Sequence, residues 1–182
     1  MKKLRIFRYL FSCLFFLQSI DIDALCKAYF TPKDNLTSLF ITMIDAEQES
    51  IRGAVYMFTD KKIAQALINA HKRGVKILII LDQISMSATG KGKLLQEHGV
   101  PVMVHRTFEF NPYTMALMHH KFFIFGSNID QKSWLWTGSW NCTVRATEHN
   151  DENVLLMDDD DIIAQYCHCF DLLQVRVSAV AN

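Results

Sequence analysis

The sequence predicts a layered α/β domain: a mixed, mostly parallel sheet flanked by helices on both faces. Three observations lead there. Helical and strand periodicities alternate through the first hundred residues. The run Val75 to Leu81 (VKILIIL) is almost continuously apolar and rich in β-branched residues, as expected of a strand covered on both faces. Half of the 182 residues are apolar, enough for an ordinary buried core.

The elements follow in order. Leu36, Leu39, Phe40, Met43 and Ile44 recur at helical spacing with polar residues between them, which predicts an amphipathic helix. Ile51 to Phe58 reads as a strand ending at Thr59-Asp60, either of which can cap the next helix. That helix carries Ile63, Ala64, Leu67, Ile68 and His71 on one face and stops at Arg73-Gly74, where Gly suits the left-handed residue beyond a helix end. The apolar strand from Val75 follows, then a short helix over Lys91 to Glu97 and a strand over Val100 to Val104. Such alternation implies right-handed crossovers in one layered domain. Further on, Lys121 to Phe125 and Trp134 to Thr137 predict two strands joined as a hairpin across the polar turn Gly126 to Lys132. A helical or loop stretch runs from Thr143 to His149, and Val154 to Met157 is a further strand. Asp158 to Asp161 make an acidic first turn for a last helix through Leu173, favourable to the helix dipole.

Residues 1–24 read as a signal peptide or N-terminal membrane anchor, and residues 25–182 as one domain. Lys2, Lys3, Arg5 and Arg8 precede an apolar run from Tyr9 to Ile20, which matches a signal-peptide core in length and is short for a membrane span of about 20 residues. Export to a periplasmic or external space is the expectation, with anchoring through residues 9–20 as the alternative. Setting residues 1–24 aside leaves fifteen basic and seventeen acidic residues. A net charge of −2 gives no global attraction to a polyanion, so any such partner must be held by a local patch. Cys26, Cys142, Cys167 and Cys169 have no zinc-site spacing and read as buried or free thiols; no metal or other cofactor is expected.

The chemistry-bearing stretch is Met118 to Asn153. His119 and Lys121, two apart on a strand, point to one face, with His120 opposite. Gly138-Ser139-Trp140-Asn141 follows at a strand end, where small residues let backbone amides approach an anion. Glu152-Asn153 adds a carboxylate. A nucleophile, a cation, hydroxyl and amide donors and a carboxylate are the parts of a phosphoryl-transfer site. Trp134 and Trp136 alternate as sheet packing does. Phe108, Phe110, Tyr113, Met115 and Leu117 precede the motif and read as ordinary packing residues, with lining of a cleft rim or contact with lipid as the alternative.

These pieces, His119-x-Lys121, Gly138-Ser139-x-Asn141 and Glu152-Asn153, together with Ala54 to Thr59 and Arg73 to Asp82, resemble the single-motif branch of the phospholipase D superfamily. That branch includes bacterial Nuc endonucleases and mitochondrial cardiolipin hydrolase/Zucchini nucleases. The likeness covers roughly Tyr29 to Leu173, and one departure stands out: the family's Asp after H-x-K-x4 falls on Gly126. The resemblance implies a phospholipase D-like fold and a phosphodiesterase acting on nucleic acid or phospholipid, with possible membrane association. It implies a homodimer in which His119 of one subunit attacks phosphorus and the second His119 serves as acid and base. Lys121, Asn141 and Ser139, with Gly138, would hold the phosphate oxygens, and Glu152 would fix the imidazole tautomer. The competing expectation is a catalytically decayed dimeric binding protein of the same fold.

Overall fold

The computed structural model describes residues 24–106 and 116–181. The segment read as a leader, up to residue 23, and the apolar positions 108, 110, 113 and 115 lie outside the described residues. Seven strands and five helices follow in the order β1 (Cys26–Phe30), α1 (Leu36–Ala46), β2 (Ser50–Val55), α2 (Lys61–Lys72), β3 (Lys76–Asp82), α3 (Gly92–Glu97), β4 (Val102–His105), β5 (Lys121–Phe125), β6 (Trp134–Gly138), α4 (Val144–Glu148), β7 (Asn153–Met157) and α5 (Asp160–Ala181). A 3₁₀ turn, Gln83–Met86, follows β3 directly.

The strands form one sheet in the order β1-β7-β6-β5-β2-β3-β4. The layered α/β class stands, but the balance within the sheet differs from expectation. Only β2–β3 and β3–β4 are parallel, while β1–β7, β7–β6, β6–β5 and β5–β2 are antiparallel. Helices α2 and α3 make the crossovers between the parallel strands; the second half turns back through the β5–β6 turn and through α4 between β6 and β7. Strand β1 was not expected at all, because five residues on a sheet edge with four of them exposed carry little periodicity.

Both faces are covered. Ile51, Val55, Ile77, Ile79, Leu81, Phe123, Phe125, Trp134 and Trp136 pack on one side beneath α1 and α2. Their strand neighbours Ala54, Ile80, Phe122, Ile124 and Leu135 meet Ile163, Phe170, Leu173 and Val177 of α5 on the other. The strict alternation along β5 and β6 is the two-residue period of a strand buried on both faces. Phe40 of α1 touches the rings of Phe123, Phe125, Trp136 and Trp140, the aromatic centre of the first layer. The tryptophans are therefore core residues; Trp134 donates to the Ile129 carbonyl and Trp140 to Thr147 Oγ1.

The predicted caps of α2 form: Asp60 accepts from the Lys62 amide at its start, and Gly74 takes φ +96° beyond its end. In addition, Asp159 accepts from Ile162 N at the start of α5. Helix α5 runs well past Leu173, its buried side supplied by Phe170, Leu173 and Val177. Among the described residues no helix is long and apolar enough to cross a membrane.

The turn leaving β5 is organised by Glu47, which is 2 % exposed. Its Oε1 accepts from the backbone amides of Glu49, Ser50 and Ser127, each at 2.9 Å, and Oε2 accepts from Asn128 Nδ2 at 3.0 Å. Removing this carboxylate strands four donors, each worth roughly 1–3 kcal/mol if left dry, with water recovering part of the loss. Glu47→Ala is expected to lower unfolding stability by about 3 kcal/mol, read as a shift of the urea midpoint at unchanged m-value.

Candidate active site

The chemistry-bearing residues gather at one end of the sheet. Strands β2, β3, β4 and β6 finish there, and β5 and β7 start there, because β5 runs antiparallel to both of its neighbours and β7 antiparallel to β6. Tyr56, Asp82, His105 and Gly138-Ser139 are therefore delivered by strand ends, and His119, Lys121 and Glu152 by strand beginnings. Open α/β sheets bind ligands outside the carboxyl ends of their strands for the same geometric reason.

His119 stands just before β5, and the ladder continues to it: Tyr56 N donates to His120 O at 2.9 Å. The Lys121 ammonium lies 3.0 Å from His119 Nδ1, 3.3 Å from Nε2 and 2.8 Å from His119 O. A neutral imidazole can accept from that ammonium; an imidazolium cannot. Burial and the Lys121 charge both hold the His119 pKa below the ordinary histidine value, with Asp82 pulling weakly the other way. The lysine is itself held below its usual value by burial, offset in part by the Glu152 carboxylate. His120 faces the other layer, as the strand alternation predicts, 5.5 Å from the Phe122 ring and beside Gln165 and Cys169 of α5.

The approach to His119 is fixed from two strands away. Asp82, 2 % exposed at the end of β3, accepts from Met118 N at 3.0 Å through Oδ2 and from Ile84 N at 3.1 Å through Oδ1. The strand register sets His105 of β4 opposite Asp82, with Nδ1 3.9 Å from the carboxylate. Burial, chiefly, keeps His105 below its ordinary pKa. Asp82 was visible in the sequence only as the end of a matching stretch; an acidic residue closing an apolar strand was the one signal of its role.

Gly138, Ser139 and Glu152 form a second cluster. Ser139 Oγ donates to Glu152 Oε2 at 2.5 Å and accepts from Asn153 N at 3.1 Å, while Ser139 N donates to Asn153 O at 3.0 Å. Asn150 Nδ2 holds the other carboxylate oxygen at 2.9 Å. A side chain at Gly138 would collide with the Asn153 carbonyl, so only glycine lets β6 and β7 close at this point. The carboxylate thus has other partners than the imidazole that the motif suggested. Within this chain it bonds Ser139 and Asn150, because β6 stands between β7 and β5, and it reaches the catalytic candidates through its field on Lys121. Asn141 lies between the clusters: its Oδ1 accepts from Met57 N at 3.2 Å, tying the β6 end to the β2 end. His149 instead sits on the surface beside Glu148.

Three comparisons bear on this arrangement. A family model described as cardiolipin synthase, PLD-like domain, matches residues 40–173. Mitochondrial cardiolipin hydrolase of Xenopus tropicalis is 30% identical over 149 residues, covering 81% of this chain and 65% of that protein. Phospholipase D of Rickettsia conorii is 33% identical over 138 residues, covering 75% and 63%. The chain spans just under two thirds of the length of these curated relatives. Among solved structures, Nuc from Salmonella typhimurium, a phospholipase D family member, matches with a TM-score of 0.68 at 23% identity, covering 82% of this chain and 93% of that one. NucT from Helicobacter pylori matches with a TM-score of 0.72 at 23% identity, covering 82% and 94%. At that identity the likeness speaks for the fold.

Asp82→Ala strands the Met118 and Ile84 amides, and each such donor costs roughly 1–3 kcal/mol. The expected result is a stability loss of about 3 kcal/mol by urea unfolding, with the Met118 amide losing its protection in hydrogen exchange.

Proposed function

Because this chain belongs to the PLD-like domain family, we propose that it is a phosphodiesterase that hydrolyses its substrate through a phosphohistidine on His119. The observation that carries the reading is the Lys121 ammonium against the His119 ring nitrogens, an arrangement that favours a neutral, nucleophilic imidazole. His119 attacks phosphorus and expels the alcohol; water then cleaves the phosphorus–nitrogen bond. Dividing one displacement into two lowers each barrier. The leaving oxygen needs a proton and the attacking water must lose one, which calls for a second imidazole. One chain supplies a single H-x-K, so the second is His119 of a two-fold-related copy, and the active unit is a homodimer. Lys121 and Asn141 stabilise the charge that develops on the nonbridging oxygens, and Ser139 with the Gly138 turn completes the anion cradle. Glu152 orients Ser139 and supports the charge on Lys121.

The substrate is a phospholipid or nucleic-acid phosphodiester. Relatives named phospholipase D and cardiolipin hydrolase favour phospholipid; the fold likeness to Nuc keeps nucleic acid as the second reading. Export through the leader, or anchoring by it, would place the enzyme beside a membrane. The positive field comes from lysine and amide groups, so activity is expected to survive EDTA.

Purified protein should hydrolyse bis-(p-nitrophenyl) phosphate, and His119→Ala should lose at least a thousandfold in kcat/KM while light scattering still reports a dimer. An inert wild-type protein would favour the decayed binding scaffold, and a monomer at working concentration would sink the shared site. Cardiolipin or phosphatidylcholine liposomes assayed beside single-stranded nucleic acid decide the substrate class.

The pH dependence follows with a definite sign. One His119 must be neutral and its counterpart protonated, so kcat/KM falls on both sides of a maximum. Since the free-enzyme imidazole titrates below 6.5, the maximum is expected on the acid side of that value. A pH series of kcat/KM on the same chromogenic substrate checks it.

A further inference from the structure

The two groups at the centre of this site share a third neighbour to which neither the motif nor any relative's name assigns a part. The Tyr56 ring lies 4.5 Å, centroid to centroid, from the His119 imidazole at an interplanar angle of 51°. The same ring lies 5.4 Å from the Lys121 ammonium nitrogen. Both are within the range where an aromatic face attracts a cation. The root of the ring is fixed, because the Tyr56 backbone is clamped on both sides. Tyr56 N donates to His120 O at 2.9 Å. Tyr56 O accepts from Ser85 Oγ at 2.8 Å, and Ser85, 1 % exposed, accepts in turn from Phe58 N at 3.0 Å. A side chain rooted in so fixed a backbone, against His119 and Lys121 and only half-buried at a sheet end, has a use beyond filling the core.

We propose that Tyr56 is a positioning residue whose π face carries the positive charge of this site, steadying protonated His119 and the Lys121 ammonium in one geometry. The inference rests on the reading of His119 and Lys121 as the reacting pair. The physical need is plain. Lys121 repels an imidazolium next to it, yet one His119 of each dimer has to be an imidazolium in every cycle. Among the described residues, the other charged or titratable groups near His119 are Asp82 from β3, Glu152 through its field on Lys121, and His120, its chain neighbour on the opposite face. Asp82 favours the protonated ring only from a distance, being occupied with Met118 and Ile84. The Tyr56 quadrupole supplies attraction at contact range without adding a formal negative charge that would repel a phosphodiester. It thereby keeps both protonation states of His119 accessible. A phenyl ring would serve as well, since the face and not the hydroxyl does the work.

The test follows the His119 imidazole protons by NMR through a pH titration, with His119→Gln identifying the resonances. It compares wild type with Tyr56→Phe, Tyr56→Leu and Tyr56→Met. Tyr56→Phe should keep the ring-current displacement of the His119 signals and its titration midpoint. Tyr56→Leu and Tyr56→Met should lose that displacement and move the midpoint down by roughly half a pH unit. In the pH series of kcat/KM, both aliphatic variants should shift the optimum further to acid and lose about tenfold, with Phe restoring it. The idea is overturned if the aliphatic variants leave midpoint and optimum in place, or if Phe behaves like Leu. Met provides the reading should Leu misfold, and matching circular dichroism confirms the fold in each. The NMR readout needs no turnover. A shifted midpoint in an inert protein would therefore sustain the part given to Tyr56 while removing the phosphodiesterase reading.

Discussion

The arrangement depends on one buried carboxylate. Asp82 ends β3, two strands away from β5, yet it holds the amide of Met118 and so determines where the chain enters β5. Among the described residues, the ladder contact of His120 with Tyr56 holds the other side of His119. A buried charge that accepts two backbone amides is costly to place and costly to remove, and so it defines a single position for the segment it holds. Ile84, on the other oxygen, anchors the 3₁₀ turn that carries Ser85, which in turn clamps Tyr56. The imidazole and the ring beside it are thus set by the same carboxylate through two short paths.

From this follows the electrostatic character of the site. Burial is the larger cause of the lowered His119 pKa, and the Lys121 charge is the second. Lys121 pushes toward the neutral ring, while Asp82 and the Tyr56 face favour the charged one. Burial and Lys121 outweigh Asp82, so the net shift favours the neutral ring.

Much of this was legible in the sequence, and the boundary is physical. Periodicity alone located α1, α2, β3, β5 and α5, because each buries a regular stripe or both faces. Spacing put His119 and Lys121 on one side and His120 on the other, since the strand period is two. What periodicity does not encode is partnership. Four of six strand pairings proved antiparallel, which depends on how loops turn back and not on which residues are apolar. Glu152 was legible as a site carboxylate, but its bonds to Ser139 and Asn150 arise from the order of three strands in space. Glu47 and Tyr56 were silent for the same reason: one reads as a helix-end acid, the other as an aromatic strand residue. Strand β1 was missed because an exposed edge needs no pattern.

The absence of the family Asp at position 126 takes its meaning from this geometry. A side chain at Gly126 would collide with Ser50 Oγ and bring its Cβ within 3.4 Å of Ser50 N. That amide is already bonded to Glu47, whose carboxylate also holds Glu49, Ser127 and Asn128. A second carboxylate here would compete for the same donor at close range to a like charge. The buried acid of the turn leaving β5 is Glu47, at the end of α1. Five strand residues, about 17 Å, separate this turn from the His119 end. A replacement at the far end reaches the imidazole only through the rigidity of β5, which is paired on both sides along its length. Gly126 accordingly lies at the opposite end of β5 from His119, in a turn whose buried acid is Glu47.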